Sequence, residues 1–581
     1  MKILIIVMSL ITLISCGGNP RLPKTQTKPN EKKTIPPIKK KNDQTNNSDQ
    51  TNNPDQTNNS NDLTPTFENP YRDLISQKIS GITLKSRDPI NYNYKVLFTN
   101  PICQDYFYKL PVENRNGNVL TTKPKNVYCG RSDFETNFKR DENHPQGQSP
   151  VNKLMQLIND HNTKEIYASY LSFSSKEVTQ ALCDAITLRN VKVTVVLDGR
   201  TEERSISSAI VSYDKKIAKY QSKLQLLESN LLQSRTLDEA AEIHKEIEEL
   251  KQNKPIRKLT KGEFIGACRP KSIFTHPNIP VYKAVPAKKG IGWSHSKLFI
   301  VNPHDPTKVT VTFSSGNMSS GVILHHENWH FVTASSESYF IKAHLCMIEA
   351  ELNHTYSRKQ FIGFMKTCQE NIKGKDGAKL LPEDDIKVFF TPGQGEEAIG
   401  HILEGISNSS IIQLAVHRFS LKPLVHSLIE SSKSKTIQMI ADDDLYYVGT
   451  KRIQPTIRVP NMRSEWWKTI DIKKVAKDFT IKYLETNHNQ KLLHHNKFII
   501  LKNDLKLSNE FFNKPAIFTG AGNFTNSAFM TKNSGGTNIE NYYYITIPEV
   551  VSAFNKQYTH LWNNLASSEK ELPKVDTPAY K

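Results

Sequence analysis

The sequence holds no C-x-x-C pair and no cysteine/histidine spacing suited to a metal, so its seven cysteines offer no structural zinc cluster by pattern. Apolar residues are scarce: they make up 37% of 581 positions. That is low for a compact globule, so part of the chain is expected to stay unfolded. Acidic residues are in deficit, 58 against 77 lysines and arginines, for a formal net charge of +19. The balance points to an anionic partner or substrate, such as phospholipid headgroups, nucleic acid or another polyanion. Long hydrophobic runs are missing too. The apolar stretch in MKILIIVMSLITLISCGG is too short for a comfortable transmembrane helix and suits a cleaved export signal. The length itself is enough for several cores, two domains with additions.

Leu13-Ile14-Ser15-Cys16 resembles the lipobox of bacterial lipoproteins. The resemblance implies that residues 1–15 are a signal peptide and that Cys16 is acylated on its thiol and amine, anchoring an extracytoplasmic protein to a membrane. Gly17 then favours the outer membrane where one is present. Six cysteines remain, an even count that permits disulfides in an oxidising compartment. Cys103 with Cys129 and Cys346 with Cys368 are the foremost pairs; Cys183 lies in a helical pattern and reads as a core residue. Residues 16–65 read as a tether. They run from a basic, proline-containing stretch into DQTNNS, DQTNNP and DQTNNS, a composition that buries no core. As flexible coil it reaches roughly 40 Å, either as a passive spacer or with its lysines on anionic headgroups. Residues 17–62 hold eight Lys/Arg against five Asp/Glu, so most of the excess charge belongs to the folded body.

That body repeats itself. YKVLFTNP at 94–101 resembles IKVFFTP at 386–392. Each is followed by a helical pattern (PVNKLMQLI at 150–158, EEAIGHIL at 396–403) and an apolar strand (IYASYL at 166–171, IIQLAV at 411–416). A second helix follows in each half, opened in the first by a capping-box pattern at Ser174 and Glu177. Then comes another strand, VKVTVVL at 191–197 and TIQMI at 436–440. The order predicts an α/β fold with helices on the sheet faces, in two similar halves, 90–370 and 380–570, related by a pseudo-twofold axis. An insertion at 207–253 carries a heptad seam (Ile210, Tyr213, Ile217, Tyr220, Leu224, Leu227, Leu231). A capping box at Thr236 and Glu239 opens a second helix with Ala240, Ile243, Ile247 and Leu250 on one face. This reads as a helical hairpin: a self-packed pair, a dimer contact or an active-site lid.

The same duplication reaches the chemistry. WSHSKLFIV at 293–301 is matched by LHHNKFIIL at 493–501; each is H-x-K opening an apolar strand. TFSSGN at 312–317 is matched by FTGAGN at 518–523, and Glu327-Asn328 by Glu540-Asn541. On a strand, His and Lys two apart share a face. That suits an imidazole attacking phosphorus while an ammonium neutralises a non-bridging oxygen. A lone H-x-K carries no information; two, each followed by the same small-residue turn and Glu-Asn, do.

At these residues the chain resembles the phospholipase D superfamily, over about residues 90 to 570 without the hairpin. The resemblance implies two motifs facing one another across the pseudo-twofold axis in one chain, with no oligomer required, and a metal-free phosphodiesterase without cofactor. It implies His295 as nucleophile through a phosphohistidine and His495 as general acid/base, with the reverse order open. It implies Lys297, Lys497, Asn317 and Asn523 on the phosphoryl oxygens, and Glu327 and Glu540 orienting imidazoles, each on the opposite half. The family's aspartate, five after the lysine, is Asn302 in the first half and Lys502 in the second, with Asp504 two further on. Its usual role is structural, so local bridging is what the departure puts in doubt. The second turn also lacks a hydroxyl. The His-Lys-Asn pattern is similar to the tyrosyl-DNA phosphodiesterase branch as well, so the substrate is a phospholipid or, alternatively, DNA or RNA.

HENWH, 326–330, matches the H-E-x-x-H zinc-protease pattern, which needs a helix to bring both histidines to one metal. Followed by Phe-Val-Thr and matched by a tyrosine-rich strand, it reads as a strand, where His326 and His330 lie too far apart. His325, His326, His330 and His494 flank the motifs with no counterpart in the other half and read as pocket lining or surface. His417 and Arg418, at a strand end, read as structural, with contact to substrate as the other use. Trp466-Trp467 and Tyr542 to Tyr544 read as core by default, with an acyl interface or base stacking as other uses.

Overall fold

The computed structural model describes residues 92–101, 106–108, 127–129, 149–173, 175–198, 217–234, 236–252, 281–282, 291–319, 321–373, 385–450, 462–484, 493–507, 510–529 and 538–572. The segments expected to be signal peptide and tether, with Cys16, lie outside these residues, as do Cys103, Cys268, Ile210 and Tyr213.

Two sheets of like order form the frame. The first runs β1 (Asn93–Thr99), β9 (His325–Ser335), β8 (Lys308–Ser314), β7 (Lys297–Val301), β4 (Glu165–Tyr170), β5 (Lys192–Asp198) and β6 (Val281–Tyr282). The second runs β10 (Ile386–Thr391), β17 (Glu540–Ile545), β16 (Ala516–Gly520), β15 (Lys497–Leu501), β11 (Ile411–Val416), β12 (Thr436–Asp442), β13 (Asp478–Leu484) and a short edge strand β18 (Ala566–Ser567). In each sheet the first four pairings are antiparallel and the next two parallel. The remaining strands are β2 (Tyr106–Tyr108), β3 (Val127–Cys129), which pairs with β2, and β14 (Leu493–His494). The duplication read from the sequence is thus a duplication of topology.

Both faces of each sheet are covered, so the strands read as continuous apolar runs whose alternate residues enter different cores. Leu298 and Ile300 enter a central core, Phe299 and Val301 an outer one. The central core joins both sheets through the helices Tyr339–Asn353, Arg358–Ile372 and Pro548–His560; Phe313 of the first half stacks on Tyr543 of the second at 3.5 Å between ring centroids. The outer core of the first half packs under helices Pro150–Asn159 and Lys176–Arg189, that of the second under Gly395–Asn408, Lys422–Ser431 and Met462–Val475. Within the described residues the layers therefore run helix, sheet, helix, sheet, helix. Among the described residues no helix is long and apolar enough to cross a membrane.

Local details refine the sequence reading. Helix Lys176–Arg189 is capped by Ser175, whose hydroxyl accepts from Val178 N and donates to Glu177, one residue later than the capping box placed it; Ser174 lies outside the described residues. Cys346 and Cys368 form a disulfide between helices Tyr339–Asn353 and Arg358–Ile372. In the inserted segment, helices span 217–233 and Leu237–Gln252. Leu227 and Ile247 are buried, and Glu239 N donates to Thr236 Oγ1 at 3.2 Å.

Candidate active site

Each H-x-K stands where a chain segment enters the sheet: Lys297 opens β7 and Lys497 opens β15, with the histidine two residues before. Both lysines are buried and fold back on their own motif. Lys297 Nζ donates to His295 O at 2.8 Å, and Lys497 Nζ to His495 O at 2.9 Å. Lys497 also reaches the other half, donating to Ser315 O at 2.9 Å.

The two halves exchange carboxylates. His295 Nδ1 lies 2.6 Å from Glu540 Oε2, and His495 Nδ1 lies 3.1 Å from Glu327 Oε1. The backbone carries out the same exchange. His495 N donates to His326 O at 3.0 Å, as β14 adds in parallel to the start of β9, while His295 N donates to Ile539 O at 2.9 Å. The asparagines after each carboxylate complete it: Asn541 Oδ1 accepts from Lys297 N at 3.0 Å, and Asn328 Nδ2 donates to Asn496 Oδ1 at 3.2 Å. A carboxylate on Nδ1 fixes the ring so that Nε2 is the reactive nitrogen and supports the imidazolium when it forms.

Asn317 and Asn523 follow the small-residue turns. Their Oδ1 atoms are buried with no hydrogen-bond partner among the described residues, so these amides hold unused polar capacity beside the site. Gly316 is required by space: a Cβ there would stand 1.8 Å from Glu327 Oε2. Ser315 Oγ accepts from Asn328 N at 3.1 Å; Ala521, at the equivalent place against Asn541, lacks that bond.

Burial dominates the electrostatics. It pushes Lys297 down to about 8 against the raising pull of Glu540 and Glu327. Burial holds Lys497 well below the ordinary lysine value, with Lys297 adding to the effect. His295 is lowered by burial, opposed by Glu540, and His495 is lowered further, by burial and then by Lys497 and His417. Without an anion the site keeps both imidazoles neutral. A bound anion would offset the charge of the two lysines and favour the protonated forms.

The positions after each lysine where an aspartate is expected resolve in space. Asn302, in the left-handed region at φ 53°, accepts from Lys164 N at 2.8 Å and Glu165 N at 3.1 Å, pinning the start of β4. Asp504 does this at β11, accepting from Ser410 N at 2.8 Å, while Lys502 instead meets Asn555.

The flanking histidines separate. HENWH is a strand within β9, where four residues span roughly 13 Å. His330 is core: it stacks on Phe313, meets Tyr94 and Asn328, and burial lowers it to about 3. His326 and His494 are buried and paired in register across β9 and β14. Arg418 is bonded to Glu465 and Tyr542 to Tyr544 are buried, as the core reading has it, whereas Trp467 is 49% exposed. Two of these histidines stand against His495. His325 and His417 set their rings edge-on to His495, at 5.5 and 5.3 Å between centroids, and His325 Nδ1 is 3.1 Å from Glu327 Oε1. His325 also has a counterpart after all, because Asn538 stands two before Glu540 as His325 stands two before Glu327, and its Nδ2 donates to Glu540 Oε1 at 3.0 Å. Trp329 Nε1 donates to Glu327 Oε2 at 3.1 Å, and Glu351 accepts from Ser296 Oγ at 2.6 Å, tying the first H-x-K to helix Tyr339–Asn353. No pattern in the sequence marks Trp329 or Glu351 for these tasks.

No protein-family model and no curated protein sequence matches the chain. Solved structures do. Polyphosphate kinase from Porphyromonas gingivalis matches at 11% identity and a TM-score of 0.36, over 72% of this chain and 49% of its own, so the chain spans about half of that enzyme. Phosphatidylserine synthase from Haemophilus influenzae matches at 12% identity and a TM-score of 0.41, over 73% of this chain and 86% of its own. A phospholipase D family member, Nuc from Salmonella typhimurium, matches at 17% identity and a TM-score of 0.22, over 32% of this chain and 96% of its own.

Proposed function

We propose that the chain is a phosphodiesterase of phospholipase D type, held on a membrane through Cys16, that hydrolyses phospholipids to phosphatidic acid and the free headgroup. The observation that carries this is the crossed pairing of two buried His-Lys motifs with Glu540 and Glu327, each carboxylate on the imidazole of the other half. In-line displacement needs a nucleophile and a proton donor on opposite sides of phosphorus, and facing halves supply them. His295 Nε2 bonds to phosphorus while the bond to the leaving oxygen breaks, and that oxygen takes a proton from His495. Water then gives a proton back to His495 and attacks phosphorus, breaking the N–P bond. Lys297, Lys497, Asn317 and Asn523 carry the charge on the non-bridging oxygens. A second reading, an extracytoplasmic nuclease, is favoured by the net charge of +19, since phosphate-backbone binding scales with cationic contacts.

The test is one assay on three substrates, with EDTA present: phospholipid vesicles, DNA and RNA. The lipid reading expects headgroup release that a His295→Ala variant lacks. Nucleic-acid cleavage that falls steeply with salt, without headgroup release, would transfer the assignment to the second reading. No turnover of any of the three above the variant removes both.

A further inference from the structure

We propose that His325, Glu327 and His495 form a binding site for a zinc-class divalent cation, and that filling it takes His495 out of the reaction. Glu327 Oε1 lies 3.1 Å from His325 Nδ1 and 3.1 Å from His495 Nδ1, and one donor atom from each residue lies within 4.8 Å of the other two. Donors bonded to one tetrahedral zinc at about 2.0–2.2 Å stand roughly 3.3 Å apart. The carboxylate oxygen already holds that spacing to both nitrogens. Two imidazoles and a carboxylate with a fourth position open is a donor set that suits zinc.

The surroundings fit as well. Trp329 Nε1 holds the other carboxylate oxygen, aiming Oε1 at the two rings, as outer-shell partners do at metal sites. The His325 and His495 side chains keep 14% and 7% of their surface, so a cation has a way in, while Glu327 is fully buried beneath them. The other half lacks this set: Asn538 takes the place of His325 against Glu540, leaving one imidazole on that carboxylate.

Occupation has a defined consequence. Coordination through Nδ1 displaces the proton that makes the ring an imidazolium, so Nε2 keeps its only proton: giving it to the leaving oxygen would require an imidazolate, and no lone pair is there to take one from water. The cation also takes the Glu327 oxygen that orients the ring. The inhibitory half of the proposal rests on the phosphodiesterase reading; the binding half does not.

The experiment therefore measures binding first. The full chain is stripped with chelator and titrated with zinc chloride, without substrate, by equilibrium dialysis. One zinc per chain is expected. The His325→Asn variant copies the arrangement of the other half, keeps a donor to Glu327, and is expected to bind at least about 100-fold more weakly, beyond the loss seen for an outer-shell partner. Should that variant fail a thermal-melt check, zinc-edge X-ray absorption on the unaltered chain decides, with two imidazoles and a carboxylate oxygen expected in the first shell. Absence of zinc, equal binding by a folded variant, or a shell without two imidazoles overturns the site. In the phosphodiester assay, zinc is expected to suppress turnover reversibly with EDTA, at about 100-fold higher zinc in His325→Asn. Zinc bound at the site with turnover undiminished overturns the inhibitory half. Zinc bound at the site of a chain that cleaves no phosphodiester leaves the site standing and removes the functional reading.

Discussion

At residue 316 there is no room for a methyl group. A Cβ would press on the Glu327 carboxylate from 1.8 Å, and that carboxylate cannot retreat, being held by Trp329, His325 and His495. Gly316→Ala is expected to lower kcat by about 100-fold, the scale of a misplacement near 1 Å in a positioned group, and to cost about 1–3 kcal/mol of stability. Steady-state kinetics with a thermal melt checks both; a folded variant within about threefold of the parent would sink the orienting role of Glu327. The glycine itself was legible, because the turn recurs as SSGN and GAGN. Its reason was not, since the Glu327 carboxylate reaches it only in three dimensions. The pocket-lining reading of His325 missed its counterpart for a related cause: that counterpart is an asparagine, so the match between positions 325 and 538 is invisible by residue type and appears only when both side chains are seen on equivalent carboxylates.

At the scale of elements, the turn after β7 shows how one task survives a change of residue and spacing. Asn302 accepts two backbone N–H groups at the start of β4 and adopts a left-handed conformation that asparagine tolerates. In the second half Asn503 takes the left-handed place, at φ 50°, and the acceptor moves on to Asp504. Counting five residues from each lysine therefore suggests two lost aspartates, where the first half keeps the place with an asparagine and the second keeps the aspartate two positions on. Asn302→Ala is expected to destabilise the chain by roughly 1 to 2 kcal/mol through the part-buried Glu165 donor left without its acceptor and through backbone strain, and Asn302→Asp by less than half of that, as read by chemical denaturation. Equal losses in the two variants would remove the acceptor role. Strands and flanking helices were legible because their apolar pattern and the repeat agree. Helices Tyr339–Asn353 and Arg358–Ile372 escaped the reading. The first is buried at ten of its fifteen positions, between two sheets, so no polar face marks its period.

At the scale of the whole molecule, the central layer carries buried histidines whose proton balance sets acid stability. Burial lowers His344, which lies between Phe340 O and Tyr543, to about 4, and does the same to His401 in the outer core. Both are neutral when folded and gain a proton on unfolding below about pH 6.5. The folded state is thus favoured above that pH and loses about 1.4 kcal/mol per pH unit for each histidine as pH falls from 6.5 towards 4. Denaturant unfolding between pH 5 and 6.5 checks this: His344→Gln is expected to flatten the slope by one proton, and an unchanged slope contradicts it. The two-half architecture was legible from the repeat, whereas the exchange of segments between halves was not, because hydrophobic pattern fixes what a strand buries and not which chain segment lies beside its end.

That exchange, β14 of the second half laid along β9 of the first, has a consequence for how the protein works when scarce. A site shared by two separate subunits empties as the subunits are diluted, because its integrity follows their association constant. Here the partner is covalently present, at an effective concentration that dilution does not change. Under the proposed function, the pairing of Glu540 with His295 and of Glu327 with His495 is therefore expected to survive dilution, because both halves of the site lie in one chain.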